Sequence, residues 1–135
     1  MTDDNTTAVR TIIIEDEELM RQIVGSALMS LGCEIVGEAA DGRSGVELFE
    51  RTAPDLVLLD IRMPVMSGME TLTALLEKDP DAHVVMLTAV ADSDLVEQCV
   101  IAGAKDYIKK HTPVDQLIQR LQKHVNRVGT RNDPA

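Results

Sequence analysis

Short apolar runs and stretches with helical spacing follow one another along this chain. Residues 11–14 form a β-branched run, and between Met20 and Leu31 the apolar residues recur at every third or fourth position until Gly32. Such a run predicts a strand, and such spacing predicts an amphipathic helix. The same alternation continues along the chain and predicts five strands and five helices. The predicted strands are residues 11–14, 34–39, 56–59, 84–87 and 106–109.

Local sequence signals mark several helix boundaries. Ser67 and Glu70 have the spacing of a capping box, which predicts a helix that starts there. Thr112 followed by Pro113 predicts the start of the last helix, with threonine as the N-cap and proline at the first helical position. The Asp-Gly pair at 41–42 predicts a turn.

The alternation of strands and helices predicts the fold class. Parallel strands need crossover connections, so this pattern favours one parallel sheet with helices on both faces and right-handed crossovers. The run at 56–59 is apolar without alternation, as expected of a strand covered on both faces. We therefore predict a doubly wound α/β domain with a five-stranded parallel sheet over residues 10–128. Residues 1–9 and 129–135 are predicted to be flexible ends.

Polar residues follow four of the predicted strands. Glu15 and Asp16 come after the first strand, Asp60 after the third, Thr88 after the fourth and Lys110 after the fifth. In open parallel sheets the functional crevice lies at the carboxyl ends of the strands. We therefore expect these side chains to converge on one rim of the sheet.

The acidic residues on this rim point to a metal ion. Carboxylates a few ångströms apart repel one another, and a hard divalent cation such as Mg²⁺, which prefers oxygen ligands, removes the conflict. The alternative is local: Asp16 caps the first helix, while Glu15 and Glu17 form a solvated first turn. The expected position of Asp60 on the same rim favours the metal site.

Asp60 is also a candidate nucleophile. Carboxylates attack phosphorus to form aspartyl phosphates, and the attack requires that the charge of the incoming phosphoryl group be neutralised. The metal ion and Lys110 would supply positive charge, and Thr88 would donate a hydrogen bond to a phosphoryl oxygen.

Charge and composition exclude other classes of protein. The net charge of −10 disfavours direct binding to nucleic acid or to an anionic membrane surface. The polar N-terminus is unlike a signal peptide, and no apolar run is long enough to span a membrane, so we expect a cytoplasmic protein. Cys33 and Cys99 lie among apolar residues and are expected to be buried free thiols.

Four segments of the chain resemble the response-regulator receiver domains (CheY-like) of two-component signalling. The likeness extends over residues 10–128, with the motifs in the family's order. It implies a flavodoxin-like sheet with strand order 2-1-3-4-5. The segments are Ile14-Glu15-Asp16-Glu17, residues 54–64 (PDLVLLDIRMP), Leu87-Thr88-Ala89 and residues 103–110 (GAKDYIKK).

The resemblance implies a role for each acidic residue of the rim. Asp60 would be the phosphoacceptor, and the donor would be a phosphohistidine on a sensor histidine kinase or a phosphotransfer protein. Asp16 and Asp60 would bind Mg²⁺ directly together with the backbone carbonyl of Arg62, and Glu15 would contribute through water. The protein would be a signalling switch and not an enzyme, apart from hydrolysis of its own phosphoryl group.

The resemblance also implies how phosphorylation is transmitted. Thr88, the Ala89 N–H and Lys110 would contact the phosphoryl group, and Tyr107 would change rotamer as Thr88 moves. The change would reach the face made by the fourth helix, the fifth strand and the fifth helix, where an unidentified output partner would bind. A homodimer through that face is also open. The alternative for Tyr107 is a half-buried packing residue.

The chain departs from the family pattern at two positions. Glu15 stands where many members have aspartate, which would make the metal site looser. His111 follows Lys110 where the family has a cis proline, and a cis non-proline bond costs about 2.5–4 kcal/mol, so we expect a trans bond. Lys109 is a rival cation, but adjacent strand residues face opposite ways.

The sequence suggests two alternative functions. A phosphorylation-independent interaction scaffold is the main alternative function. A phosphohydrolase of the haloacid-dehalogenase type would carry its nucleophile on the first strand and a second aspartate two residues later, where this chain has Arg62 after Asp60. His83, His111 and His124 are expected to be surface or capping residues.

Overall fold

The computed structural model describes residues 8–89 and 92–131, and these form one doubly wound α/β domain. The strands are β1 Arg10–Ile14, β2 Glu34–Ala39, β3 Leu56–Asp60, β4 Val84–Thr88 and β5 Asp106–Lys109. The helices are α1 Glu18–Ser30, α2 Gly42–Thr52, α3 Gly68–Lys78, α4 Ser93–Ala102 and α5 Val114–Arg131. Each predicted strand and helix is present.

The sheet has the expected topology. Its five strands run in the order β2-β1-β3-β4-β5, and every neighbouring pair is parallel. Every residue of β3 and β4 is buried, because helices cover both faces of these central strands. The fold class and the strand order predicted from the sequence are confirmed.

The core consists of two apolar layers, one on each face of the sheet. Alternate residues of one strand enter different layers: Leu58 packs in the layer with α1 and α5, and Leu59 packs in the layer with α2 and α3. Cys33 lies in the first layer and Cys99 in the second, both as buried free thiols. No helix among the described residues combines the length and the apolar character needed to cross a bilayer.

Three boundaries test the local signals. The capping box at Ser67 is present in both directions, because Ser67 accepts from the Glu70 N–H and Glu70 accepts from the Ser67 N–H. The turn predicted at 41–42 is wrong: Asp41 is the N-cap of α2, and its Oδ1 accepts from the Ser44 N–H at 2.8 Å. The Thr112 hydroxyl donates to the Lys109 carbonyl at 2.6 Å, and α5 starts one residue later than predicted.

The chain ends extend the ordered domain slightly. Val9 is buried in the core, and α5 runs to Arg131, so helical structure passes the predicted boundary at residue 128. Residues 1–7 and 132–135 of the two predicted flexible ends lie outside the described residues. The flexibility of both ends therefore stays a prediction.

Candidate functional site

Three carboxylates meet at the carboxyl edge of the sheet. Asp60 is the last residue of β3, and Glu15 and Asp16 directly follow β1, which pairs with β3 in parallel. Because parallel neighbours end at the same edge, the side chains come together, and one oxygen from each of the three lies within 4.8 Å of the others. The sequence predicted this convergence.

Lys110 joins the carboxylates from the fifth strand. Its Nζ lies 3.0 Å from Oδ1 of Asp60 and 3.0 Å from Oε1 of Glu15. A third contact, at 3.2 Å, reaches Oε1 of Glu17. The Lys110 N–H donates to the Thr88 carbonyl at 2.8 Å, which fixes the residue beside the end of β4. The rival Lys109 is exposed and lines a surface cavity beside Tyr107.

Glu15 is fully buried, which contradicts the alternative of a solvated first turn. Its Oε2 accepts from the Glu17 N–H at 2.9 Å, and its backbone carbonyl accepts from the Arg21 guanidinium at 2.6 Å. Glu17, not Asp16, occupies the N-cap position of α1, so the local alternative for Asp16 is also wrong. Glu17 itself is exposed, as that alternative expected.

The burial of this cluster changes its protonation. Burial raises the pKa of Asp60 to about 8, and the neighbouring Asp16 and Glu15 carboxylates add to the effect. Burial likewise raises the pKa of Glu15. Burial alone would lower the pKa of Lys110, but its hydrogen bonds to Asp60 and Glu15 raise it above the usual lysine value. One lysine faces three carboxylates, so the cluster retains excess negative charge that protons or a cation must balance.

Two buried oxygen atoms of this cluster have no hydrogen-bond partner of suitable geometry among the described residues. They are Oδ2 of Asp60 and Oε1 of Glu15; the latter lies 3.0 Å from the Lys110 amine as an ion pair, while the lysine hydrogen bond goes to Oε2 at 3.3 Å. Asp16, the third member, is exposed and therefore reachable from solvent. A set of carboxylate oxygens with unsatisfied lone pairs and one open side fits a hard divalent cation such as Mg²⁺.

The loop after β3 folds back over the site. The Arg62 N–H donates to Oδ1 of Asp60 at 3.2 Å, and the Gly68 N–H donates to the Ile61 carbonyl at 2.8 Å. This places Arg62 beside the carboxylates, and the role of its carbonyl as a metal ligand stays a prediction.

Thr88 and Ala89 lie on the other side of Asp60. Thr88 ends β4 and is buried, and together with Ala89 and Tyr107 it lines a cavity of about 200 Å³. Tyr107 is 39% exposed, which fits both a rotamer switch and the alternative of a half-buried packing residue. The cavity connects the residues expected to sense the phosphoryl group with the exposed face of β5.

Asp92 is a residue of this region that the sequence did not single out. It lies in front of α4 and is buried, and its carboxylate accepts from Arg62 Nε and from the Ala89 N–H. Burial alone would raise the pKa of Asp92, but the hydrogen bonds from Arg62 and Ala89 lower it. An aspartate in front of a helix is typical of an N-cap, so no sequence signal distinguished it.

Two of the three histidines differ from their predicted positions. His83 and His124 are 3% and 4% exposed, so a surface role is wrong for both, and their ring nitrogens lie 2.9 Å apart. His124 Nε2 lies 2.8 Å from Oδ2 of Asp106 and donates to it, since a carboxylate only accepts. Asp106 begins β5 and His83 precedes β4, so this network is at the edge opposite the carboxylates. His111 is exposed, as expected.

The bond between Lys110 and His111 is trans, as expected, because no peptide bond among the described residues is cis. The residues that the sequence placed at the rim are therefore together in the fold, with Lys110 held against Asp60 by a loop that lacks the family's cis proline.

Comparisons with known proteins agree with this geometry. The sequence matches the response regulator receiver domain family over residues 11–122. It is 32% identical over 114 residues to the chemotaxis protein CheY of Thermotoga maritima, covering 84% of this chain and 95% of that protein. It is 41% identical over 118 residues to the transcriptional regulatory protein PdtaR of Mycobacterium tuberculosis, covering 87% of this chain and 57% of that protein.

Solved structures give the same result. A chain of the CheX-CheY-BeF3-Mg complex from Borrelia burgdorferi superposes with a TM-score of 0.80 at 32% identity, covering 85% of this chain and 87% of that chain. Receivers of this kind act as signalling switches. Together, the sequence match, the strand order and the clustered carboxylates show that this chain belongs to the response regulator receiver domain family, the CheY-like receivers of two-component systems.

Proposed function

We propose that Asp60 accepts a phosphoryl group from a phosphohistidine on a sensor histidine kinase or phosphotransfer protein. The observation that carries the proposal is the buried Asp60 carboxylate, with Oδ1 against Lys110 and Oδ2 without a hydrogen-bond partner in the described part of the chain. An oxygen that is not engaged by a donor keeps its lone pairs for attack on phosphorus.

Asp16 and Asp60 would hold Mg²⁺ with the backbone carbonyl of Arg62, and Glu15 would contribute through water. When bound, the ion neutralises charge on the attacking carboxylate and on the phosphoryl oxygens. The fit rests on the carboxylate oxygens that lie within 4.8 Å of one another. The same fit accounts for the otherwise unfavourable burial of Glu15 and Asp60 beside each other.

In the proposed transfer, one bond to phosphorus forms as another breaks. Oδ2 of Asp60 attacks the phosphorus, a new O–P bond forms, and the P–N bond of the phosphohistidine breaks. The leaving imidazole keeps the electron pair and takes a proton from solvent. The Lys110 amine would leave its contacts with the Asp60 and Glu15 carboxylates and pair with a phosphoryl oxygen. Later hydrolysis of the aspartyl phosphate by water would regenerate Asp60 and release inorganic phosphate. The protein is thus a switch and not a catalyst for an external substrate.

The output would follow from the added charge at Asp60. A phosphoryl group brings nearly two negative charges, towards which Thr88, the Ala89 N–H and Lys110 would be drawn. To change the ratio of active to resting conformation from 1:99 to 99:1, the phosphoryl group must interact with the active conformation about 5.5 kcal/mol more favourably than with the resting one. The cavity shared by Thr88, Ala89 and Tyr107 supports transmission to the face of α4, β5 and α5. An output partner, or a second copy of this chain, would bind there, in the cytoplasm and without direct contact to nucleic acid or membrane.

A phosphohydrolase of the haloacid-dehalogenase type finds no support in this site. Asp60 ends the third strand, and Arg62, at the position of that class's second aspartate, directs its side chain to Asp92. The phosphorylation-independent scaffold remains an outcome of the test below.

The proposal is tested by intact-mass spectrometry after incubation with acetyl phosphate and Mg²⁺. We expect one phosphoryl adduct on the wild type, none on Asp60→Asn, and an unchanged adduct on Asp115→Asn, an exposed aspartate in the first turn of α5. An adduct that persists in Asp60→Asn refutes the assignment of the acceptor. Absence of any adduct, together with no spectral response to beryllofluoride and Mg²⁺, supports the scaffold instead.

A further inference from the structure

We propose that Asp92 is a positioning residue that holds the receiver in its resting state by occupying the donors that a phosphoryl group on Asp60 would use. The inference rests on the proposed function. It adds an internal carboxylate that competes with the phosphoryl group for the Ala89 N–H and the Arg62 guanidinium.

The geometry of Asp92 is that of an anion already bound. Its Oδ1 accepts from Arg62 Nε at 2.5 Å, and its Oδ2 accepts from the Ala89 N–H at 3.1 Å. The residue is 3% exposed, so these bonds form with little competition from water. Each carboxylate oxygen is thereby paired with one donor.

The local turn at the start of α4 explains the contact with Ala89 but not the contact with Arg62. An aspartate at an N-cap usually accepts from the second or third N–H of its helix, as Asp41 does for α2. Asp92 is the N-cap of α4, yet its side chain makes no capping hydrogen bond. Its carboxylate reaches back to the N–H of Ala89, whose carbonyl accepts from the Asp92 N–H at 3.2 Å, and it also pairs with Arg62 from the loop after β3.

Arg62 and Ala89 both follow strand ends beside the phosphoacceptor. Arg62 is two residues after Asp60, and its own N–H already donates to Oδ1 of Asp60. Ala89 directly follows Thr88, the last residue of β4, whose Leu87 pairs in register with Asp60. The Ala89 N–H has one hydrogen, and it cannot serve Asp92 and a phosphoryl oxygen fully at the same time. A phosphoryl group at Asp60 must therefore displace Asp92 or forgo these donors.

This competition has a thermodynamic consequence. If the binding-competent arrangement is only a fraction of the resting population, the apparent affinity for a phosphoryl mimic is reduced by that fraction. Asp92→Asn keeps the shape of the side chain but loses its charge and one acceptor oxygen, so it cannot hold both donors. The variant should populate the competent arrangement more and bind the mimic more tightly.

The test is a beryllofluoride titration of the full chain with Mg²⁺, followed by amide NMR at Ala89 and Tyr107. We expect Asp92→Asn to bind about tenfold more tightly than the wild type, the effect of one charge-assisted hydrogen bond. The control is Asp94→Asn, which makes the same charge change at an exposed position in the first turn of α4 and should match the wild type. A purely structural role of Asp92 would weaken binding, so equal or weaker binding by Asp92→Asn overturns the inference.

A second measurement needs no variant. In the wild type, beryllofluoride should change the chemical shifts of the Asp92 carboxyl carbon and the Ala89 amide together. The hydrogen bond between them would break as the Ala89 N–H donates to the mimic instead. An unchanged Asp92 carboxyl resonance at saturation overturns the inference even if Asp92→Asn does not fold. A wild type that binds no beryllofluoride is a different result, since it refutes the proposed function and not Asp92 alone.

Discussion

The amine of Lys110 lies 3.0 Å from Oδ1 of Asp60, although Asp60 ends β3 and Lys110 follows β5, far apart in the sequence. The same amine contacts Glu15 and Glu17, so a single cation is divided among several carboxylates. It compensates the charge of the site incompletely. Protonation, metal binding and phosphorylation should consequently be coupled at Asp60.

The first prediction concerns the stability of the metal-free protein against pH. The folded pKa of Asp60 is raised to about 8, so the folded state binds more protons than the unfolded state between about pH 4 and 8. The stability that this group contributes is fully present below pH 4 and is lost as the pH rises to 8, by at most about 1.4 kcal/mol per unit. Asp60→Asn lacks this loss, so its stability advantage over the wild type should grow up to pH 8.

Urea unfolding in the presence of EDTA at several pH values measures this difference. The control is Asp115→Asn, at an exposed position. Asp55→Asn would not serve, because the Asp55 carboxylate accepts a hydrogen bond from the Arg10 N–H. A stability difference between wild type and Asp60→Asn that does not vary with pH would show that Asp60 titrates normally.

The second prediction concerns Lys110. Replacing it with methionine keeps the length of the side chain but removes the cation that should pair with the phosphoryl group. We expect beryllofluoride to bind at least about tenfold more weakly, the effect of losing one charge-assisted contact in a buried site. Lys109→Met, the same change at the neighbouring exposed residue, should bind like the wild type. Equal weakening in both variants would mean that general charge, and not position, attracts the anion.

The third prediction concerns Mg²⁺ and Asp16. An ion that binds only the folded state stabilises it, by about 2.7 kcal/mol at one hundred times its dissociation constant. Wild-type protein should therefore melt at a higher temperature in Mg²⁺ than in EDTA, and Asp16→Asn should lose most of this increase. Glu18→Gln, an exposed acid in the first turn of α1, should retain it. Differential scanning calorimetry of the wild type and both variants measures these melting temperatures. If Mg²⁺ still raises the melting temperature of Asp16→Asn, the assignment of Asp16 as a ligand is contradicted.

The fourth prediction concerns the buried network at the opposite edge. His124→Leu removes the ring that contacts both Asp106 and His83, and it should cost about 1–3 kcal/mol of unfolding free energy because the buried His83 ring and the partly buried Asp106 carboxylate each lose a contact. Mg²⁺ binding should not change, since the network is remote from the carboxylate cluster. His111→Leu, at an exposed histidine, should stay within about 0.5 kcal/mol of the wild type. Similar losses in both variants would refute the structural role of the network.

The sequence by itself determined the elements of this domain and the rim on which its chemistry lies. Apolar periodicity reports which side of an element is buried, and strand-helix alternation leaves a parallel sheet as the consistent arrangement. Because parallel strands end at one edge, Asp16, Asp60 and Lys110 could be brought together without coordinates. The Ser67 capping box was equally readable, since both of its bonds are local.

Only the tertiary structure decided which distant partners the polar residues have. The sequence left a solvated turn open for Glu15, and in the fold this residue is fully buried beside Lys110. Asp92 has the sequence position of a helix cap, but its carboxylate reaches Arg62 from another loop. His83 and His124 pair across β4 and α5 for the same reason. Periodicity along one element carries no information about the charge or hydrogen-bonding group that another element presents to it, and that information exists only after the elements pack.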